Sequence, residues 1–154
     1  MICRAPRFLG LTLLVSALVG LTASHTRAHI VRAILEGVAF SLKDTFTIFE
    51  EMGVPVKDIR LGGGGARSLL WRQIQADVYG HEVALVEAEE GAAYGAAILA
   101  GVGARIWPSV DEACDKVVRV AQRVSPKWEN VATMEKNYAL FRRLYPAMKS
   151  VFSA

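Results

Sequence analysis

The sequence predicts an α/β fold, in which helices flank a small sheet. Apolar residues recur every three to four positions in several segments, which is typical of helices packed on a core. Two short apolar runs lie between these segments, at 59–61 and 83–86, and they indicate buried strands. With 154 residues and 53% hydrophobic content, the chain is long enough to bury one core. Alternation of helices and strands predicts an α/β layer.

The first predicted helix covers residues 29–52 and ends at Gly53 and Pro55. Its expected inner stripe is apolar at intervals of three to four residues: Val31, Leu35, Val38, Leu42, Phe46, Phe49 and Met52. Ile59 and Leu61 then run straight into the glycines at 62–65, which predicts a strand that opens into a loop.

The second predicted helix covers residues 68–79 and stops at Gly80. Four apolar side chains are expected to face inward: Leu70, Trp71, Ile74 and Val78. The apolar run at 83–86 predicts the next buried strand.

Three more helices are predicted after that strand. Residues 91–100 are rich in glycine and alanine, and small side chains predict a helix pressed close against the sheet. Ser109 and Glu112 have capping-box spacing, which predicts a helix over 110–120. Asn130 is expected to cap the last helix. The expected inner face of that helix is Met134, Tyr138, Phe141, Tyr145 and Met148. Two strands make a small sheet, so the chain is expected to be part of something larger.

Charge and cysteine usage exclude several function classes. The net charge is +3, and the basic residues are scattered along the chain, which does not predict nucleic-acid binding. Cys3 and Cys114 lie far apart, so neither a zinc site nor a disulfide framework is expected. A reducing, cytoplasmic location is the simpler prediction.

The amino terminus has some features of an export signal. Arg4 and Arg7 precede an uncharged run over 8–23. No small-x-small cleavage site follows, and the run is short for a membrane span, so a working signal or anchor is the minor alternative and no membrane association is predicted.

The glycine run at 62–65 has the features of a nucleotide-contact loop. Without Cβ atoms, its backbone amides can come close to a flat base or a phosphate, and the helix that follows adds partial positive charge. A tight structural turn is the alternative interpretation. A P-loop is excluded because no lysine lies between Lys57 and Lys116, and the third glycine of a Rossmann pattern would fall on Arg67 or Ser68.

Other chemistry-bearing residues favour structural roles. His25 and His29 are four residues apart, but no third metal ligand accompanies them, so capping or packing is expected and no metal site is predicted. Glu87, Glu89 and Glu90 predict a solvated turn before a helix rather than a general acid or base. Trp71 is expected in the core rather than stacked on a base.

Four groups of residues follow one another along the chain. The first two are Gly20-Leu21-Thr22 and the stretch from His25 to Phe40 that contains Leu35-Glu36-Gly37-Val38-Ala39-Phe40. The third is Gly63-Gly64-Gly65-Ala66-Arg67-Ser68 with Trp71-Arg72-Gln73-Ile74 and Ala76-Asp77, and the fourth is Gly91-Ala92-Ala93 with Gly95-Ala96-Ala97. In this order they resemble the C-terminal domain of the FGGY carbohydrate kinases, particularly the xylulose kinases, over about residues 20–150.

The resemblance implies a ribonuclease-H-like, actin-like ATPase fold, in which two domains close on a cleft for sugar and ATP. This chain would form the later portion of the second domain. The resemblance implies that residues Gly63 to Ser68 contact ATP or ADP: Gly64, Gly65 and Ala66 through the backbone, and Arg67 or Ser68 through polar contact with ribose or adenine.

The departures from the family predict an incomplete kinase. In the family the first domain supplies the sugar pocket, the magnesium carboxylates and the catalytic base, so no catalytic residue is assigned here, and Mg²⁺ and sugar are expected only with that domain. We divide the chain into an apolar leader, 1–19, and an incomplete ATP-binding domain, 20–154. The leader is interpreted as the mark of a truncated or rearranged reading frame. The alternative function is a non-catalytic assembly module that forms homo-oligomers or pairs with a separate chain.

Overall fold

A computed structural model describes residues 17–87 and 91–152. The elements are α1 Arg27–Glu51, β1 Ile59–Leu61, a 3-10 turn Gly64–Arg67, α2 Leu69–Tyr79, β2 Val83–Val86, α3 Gly91–Gly103, α4 Val110–Val117, β3 Val120–Val124 and α5 Trp128–Phe152. The predicted α/β alternation is confirmed, including both predicted strands. Of the predicted leader, residues 1–16 lie outside the described part of the chain.

The sheet has three strands in the order β1-β2-β3. β1 and β2 are parallel, with Ile59 opposite Val83, whereas β2 and β3 are antiparallel. The prediction missed β3 and extended the preceding helix to residue 120. That helix ends at Val117, because Val118 takes an extended conformation and the chain then pairs with β2. Most of β3 is exposed, so it lacks the apolar run that marks a buried strand.

The core lies between the sheet and the helices α1, α2 and α5. Ile74, Val78 and Val83 are fully buried there. The ring of Phe40 packs on those of Tyr138 and Phe141 at centroid distances of 5.8 and 5.5 Å, which joins α1 to α5. These aromatic pairs add about 0.5–1.5 kcal/mol each beyond the burial of their area.

The predicted inner stripe of α1 is partly wrong. The buried residues are Ala39 and Phe40, with Leu35 and Phe46 half-buried beside them. Five members of the predicted stripe are exposed: Val31, Val38, Leu42, Phe49 and Met52. The helix is apolar on two sides, and a spacing of three to four residues does not say which side meets the core.

Helix α2 begins and ends as predicted. The Ser68 side chain accepts a hydrogen bond from the backbone N–H of Trp71, and Gly80 closes the helix in the left-handed conformation, with φ of 67°. Leu70, which was expected inside, is 51% exposed. It lies in the first turn, where the helix projects beyond the core.

Helix α3 is present as predicted but does not press against the sheet. It packs on α4, and most of its alanines are exposed. The helix comes close to a neighbouring side chain at Gly101, where an added Cβ would overlap the ring of Trp107. Tyr94 of α3 also donates a hydrogen bond to the carbonyl of Val117 at 2.6 Å. Ser109 caps α4, as the capping-box spacing predicted.

A buried carboxylate joins α2 to α5. Asp77 is 1% exposed. Its oxygens accept hydrogen bonds from the backbone N–H of Lys127 and from the side-chain amides of Gln73 and Asn130, all at 2.8 Å. The prediction that Asn130 caps α5 is therefore wrong, because this side chain lies inside the first turn and turns back to Asp77. The negative charge at the start of α5 also complements the helix dipole.

The inner face predicted for α5 is partly wrong. Tyr145, expected on the inner face of α5, is 64% exposed, while Met134 and Tyr138 are buried as predicted. Cys114 is a free, half-buried thiol, and Cys3 lies outside the described residues. Within 17–87 and 91–152, no helix is both long and apolar enough to cross a bilayer.

Replacing Asp77 with Asn should destabilise the protein by about 2–4 kcal/mol, because an amide offers the three donors fewer acceptor sites and no charge. Urea unfolding followed by circular dichroism measures the change. The control Asp115→Asn, at an exposed position of α4, should stay within about 0.5 kcal/mol of the parent. Equal losses in the two variants would contradict this role for Asp77.

Candidate functional site

The glycine loop lies at the carboxyl edge of the sheet. β1 and β2 are parallel, so the loop that follows Leu61 and the turn that follows Val86 leave the sheet on the same side. In open α/β sheets, ligands bind outside the carboxyl ends of the strands. The predicted site therefore stands where this architecture normally holds a ligand.

The loop turns sharply at Gly63, whose φ of 76° and ψ of 178° define a conformation nearly restricted to glycine. The 3-10 turn Gly64–Arg67 follows at once. The first backbone hydrogen bond of this turn runs from the N–H of Ala66 to the carbonyl of Gly63, at 3.1 Å. The N–H groups of Gly64 and Gly65 precede that bond and have no partner among the described residues, so they are available to a ligand.

Space above the loop is open. A Cβ built on Gly62, Gly63 or Gly64 would meet no atom of the described residues within 4 Å. The next two residues are packed against other parts of the chain: a Cβ at Gly65 would lie 3.5 Å from the ring of Trp71, and Ala66 is 3% exposed. The open side and the free amides together form a surface on which a flat or anionic group can rest.

Trp71 has the structural role that was expected. Its ring packs partly against the hydrophobic core and partly beneath Gly65. It supports the loop from below, and the open side of the loop lies above Gly62, Gly63 and Gly64.

The other predicted site residues are brought together by the 3-10 turn. Ala66 is buried and its N–H is bonded within the turn, whereas Arg67 and Ser68 are exposed. The hydroxyl oxygen of Ser68 accepts from the N–H of Trp71 at 3.3 Å, so this side chain caps α2. The contacts of these residues with ribose or adenine stay a prediction.

Sequence reasoning missed two residues that hold the loop. Arg72, which is 6% exposed, donates from Nη2 to the carbonyl of Arg67 at 3.2 Å and from Nη1 to Oε1 of Gln122 at 2.5 Å. Arg72 belongs to the motif that follows the loop, but Gln122 lies 50 positions further along the chain. No spacing rule connects residues that far apart.

The two histidines have the capping roles that were expected. Nδ1 of His29 accepts from the backbone N–H of Thr26 at 3.1 Å, and Nδ1 of His25 accepts from that of Thr22 at 3.0 Å. Among the residues that the structure describes, no group of three or more His, Cys, Asp or Glu side chains could hold a metal ion. Glu87 is exposed, and Glu89 and Glu90 lie outside the described residues.

A cavity reaches the strand that leads into the glycine loop, because Leu61 is among its lining residues. This groove, of about 580 Å³, runs along the open edge of β1, between that strand and the second half of α1. Its lining is mainly apolar, with Leu42, Phe46 and Phe49 on one wall. Tyr79 lies at its base, where burial raises the pKa of the phenol and a hydrogen bond donated by Gln75 partly offsets that rise.

The sequence and the fold match those of known sugar kinases. The family model for the C-terminal domain of the FGGY family of carbohydrate kinases matches residues 8–104. Xylulose kinase of Bacillus subtilis is 36% identical over 138 residues, which is 90% of this chain and 28% of that protein. The structure of xylulose kinase from Rhodospirillum rubrum superposes with a TM-score of 0.78 and 30% identity, over 90% of this chain and 28% of that one.

A glycerol kinase shares the same architecture. The structure titled Plasmodium falciparum glycerol kinase with ADP matches 85% of this chain and 26% of its own, with a TM-score of 0.69 and 26% identity. The fold is thus part of the actin-like ATPase fold, as expected. The chain belongs to the FGGY family of carbohydrate kinases, and it spans about 28% of the length of the xylulose kinases it matches.

Replacing Gly63 with Ala should cost about 1–3 kcal/mol of stability, because a side chain is strained in that backbone conformation. The matched variant Gly64→Ala, one position on, should be nearly neutral, since its methyl group enters open space. Thermal unfolding of the two variants beside the parent measures the difference. If Gly64→Ala proved the more damaging change, the described loop conformation would be wrong.

Proposed function

We propose that this chain carries the adenine-nucleotide-binding part of an ATP-dependent carbohydrate kinase. The observation that carries the proposal is the glycine loop at the carboxyl edge of the sheet, where the amides of Gly64 and Gly65 have no partner, and Gly64 no close neighbour, among the described residues. Membership of a carbohydrate kinase family supports it.

The nucleotide is proposed to lie on residues 63–68. Gly63, Gly64 and Gly65 let the backbone approach the ligand, and their N–H groups suit a phosphate oxygen. Arg67 and Ser68 are placed at the exit of the loop, where polar contact with ribose or adenine is proposed. The ADP named for the related glycerol kinase structure supports an adenine nucleotide as the ligand.

We assign nucleotide binding to this chain, but not the chemistry of transfer. Phosphoryl transfer depends on metal carboxylates and on a group that accepts the proton of the attacking hydroxyl. The described residues contain no group of three or more His, Cys, Asp or Glu side chains that could hold a metal ion, so we assign no Mg²⁺ site to them. The family resemblance places the catalytic base in the first domain, so we assign none to this chain. Transfer would then need residues that the matched part of the kinases does not supply.

Xylulose is the proposed sugar of the complete kinase. The similarity to xylulose kinases of Bacillus subtilis and Rhodospirillum rubrum supports this choice. No described residue is assigned to sugar recognition, so sugar alone is not expected to bind this chain.

ADP should stabilise the protein against heat. At about one hundred times its Kd, a ligand that binds only the folded state adds about 2.7 kcal/mol, which raises Tm by roughly 5–10 °C. Differential scanning fluorimetry with millimolar ADP measures the shift. In a folded sample, the absence of any shift would remove the binding proposal.

Two glycine variants test whether ADP binds at the glycine loop. Gly64→Ala places a methyl group in the proposed nucleotide space and should weaken ADP roughly tenfold, with Tm unchanged in the absence of ligand. Gly37→Ala, an equally open position in α1, should keep the full response. Equal responses from the two variants would place the nucleotide elsewhere.

A second function is favoured by the open edge of β1. The groove beside it is apolar, and α1 exposes large side chains along its length, among them Val38 at 48% and Phe49 at 42%. Patches of this kind mark interaction surfaces. The second proposal is an assembly module on which a separate chain, supplying the remainder of a kinase, docks an extended strand against β1.

Co-expression tests this docking surface. The tagged chain should capture the portion of Bacillus subtilis xylulose kinase that lies outside the matched 138 residues. Phe49→Lys should abolish capture because it places a charge in the groove, whereas Tyr145→Lys, at an exposed residue of α5, should not. A monodisperse monomer by light scattering that captures nothing would reject the second function.

A further inference from the structure

A buried arginine ties the glycine loop to the outer strand of the sheet. Arg72 lies in the first turn of α2, and its guanidinium bonds both to the carbonyl of Arg67, the last residue of the 3-10 turn, and to Gln122 of β3. The guanidinium is a planar, rigid fork of donors. These two bonds therefore fix the exit of the loop relative to β3, which is itself paired with β2.

The charge of Arg72 has no carboxylate partner among the described residues. Both acceptors are neutral, one a main-chain carbonyl and the other a side-chain amide. The Nε atom is buried and has no hydrogen-bond partner within residues 17–87 and 91–152. Burying a cation without a counter-charge costs free energy, so stability alone does not account for an arginine at this position.

We propose that Arg72 is a positioning residue for the nucleotide loop, with Gln122 as its anchor. By holding the carbonyl of Arg67, it keeps the 3-10 turn in the conformation that presents the Gly64 and Gly65 amides. Its uncompensated positive charge beside the loop also favours an anionic ligand such as a nucleoside diphosphate. The role of these hydrogen bonds in ligand binding rests on the proposed nucleotide function. The hydrogen bonds from Arg72 to Arg67 and Gln122 are part of the structure itself.

Amide hydrogen exchange tests the anchor without any ligand. The loop amides of Ala66 and Ser68 are hydrogen-bonded within the turn, to Gly63 and Gly65. Gln122→Ala, at an exposed residue, should speed their exchange about tenfold while leaving the amides of α5 unchanged. Arg72→Lys keeps the charge but loses the fork, and it should act in the same way.

The neighbouring variant Arg123→Ala is the matched control. Arg123 is an exposed residue of the same strand that pairs with Glu82 and Asp58, and neither belongs to the loop. Loop exchange should stay at the parental rate in this variant. Unchanged loop exchange in both Gln122→Ala and Arg72→Lys would overturn the positioning role, and so would faster exchange spread equally over α5.

Calorimetric titration with ADP supplies the second measurement. At a temperature where every variant is folded, Kd should rise about five- to tenfold in Gln122→Ala and Arg72→Lys and stay unchanged in Arg123→Ala. Parental affinity in both loop variants would overturn the role. If the parent itself bound no ADP while loop exchange still rose in the two variants, the anchor would stand and the proposed nucleotide function would fail.

Discussion

The carboxylate of Asp77 is the interaction on which the rest of the structure depends. It is almost fully buried near the end of α2, and its three donors come from α2 itself, from the residue that precedes α5 and from the first turn of α5. Hydrogen bonds to a charged, buried acceptor contribute more than hydrogen bonds between neutral groups. Without them, α5 would lose the fixed start that lets Phe40 meet Tyr138 and Phe141.

Helix α2 connects the hydrogen bonds of Asp77 to the candidate site. Asp77 fixes its carboxyl-terminal half. At its start, Ser68 caps the helix, the ring of Trp71 lies against Gly65, and Arg72 donates a hydrogen bond to the carbonyl of Arg67. A run of glycines has no side chains with which to hold its shape. Its conformation is therefore fixed by the helix that follows it.

Local signals were sufficient to predict much of this fold. The apolar run at 59–61, the cap at Ser109 and the stop at Gly80 each depend on residues a few positions away, so they can be read directly from the sequence. The position of residues 63–68 as a candidate site came from the glycine run together with the family resemblance. All of these features involve contacts between near neighbours in the chain.

The features that escaped prediction depend on distant partners. Asn130 was predicted to be a cap because its acceptor, Asp77, lies 53 positions away, and the link from Arg72 to Gln122 was not predicted because the two residues are 50 positions apart. The errors in the predicted buried face of α1 and in the predicted packing of α3 have the same origin. Periodicity identifies an apolar surface without showing which element covers it. β3 was missed because an exposed strand carries little apolar pattern.

Helices α3 and α4 pack on each other, so this pair is expected to have a lower free energy of unfolding than the rest of the molecule. This helix pair is inserted between β2 and β3, and its chief contacts, such as Gly101 with Trp107 and Tyr94 with Val117, lie within the pair. A unit with few ties to the main core opens at a lower free energy than the whole domain. Local unfolding should thus begin beside the carboxyl edge of the sheet, while the Asp77-linked helices stay folded.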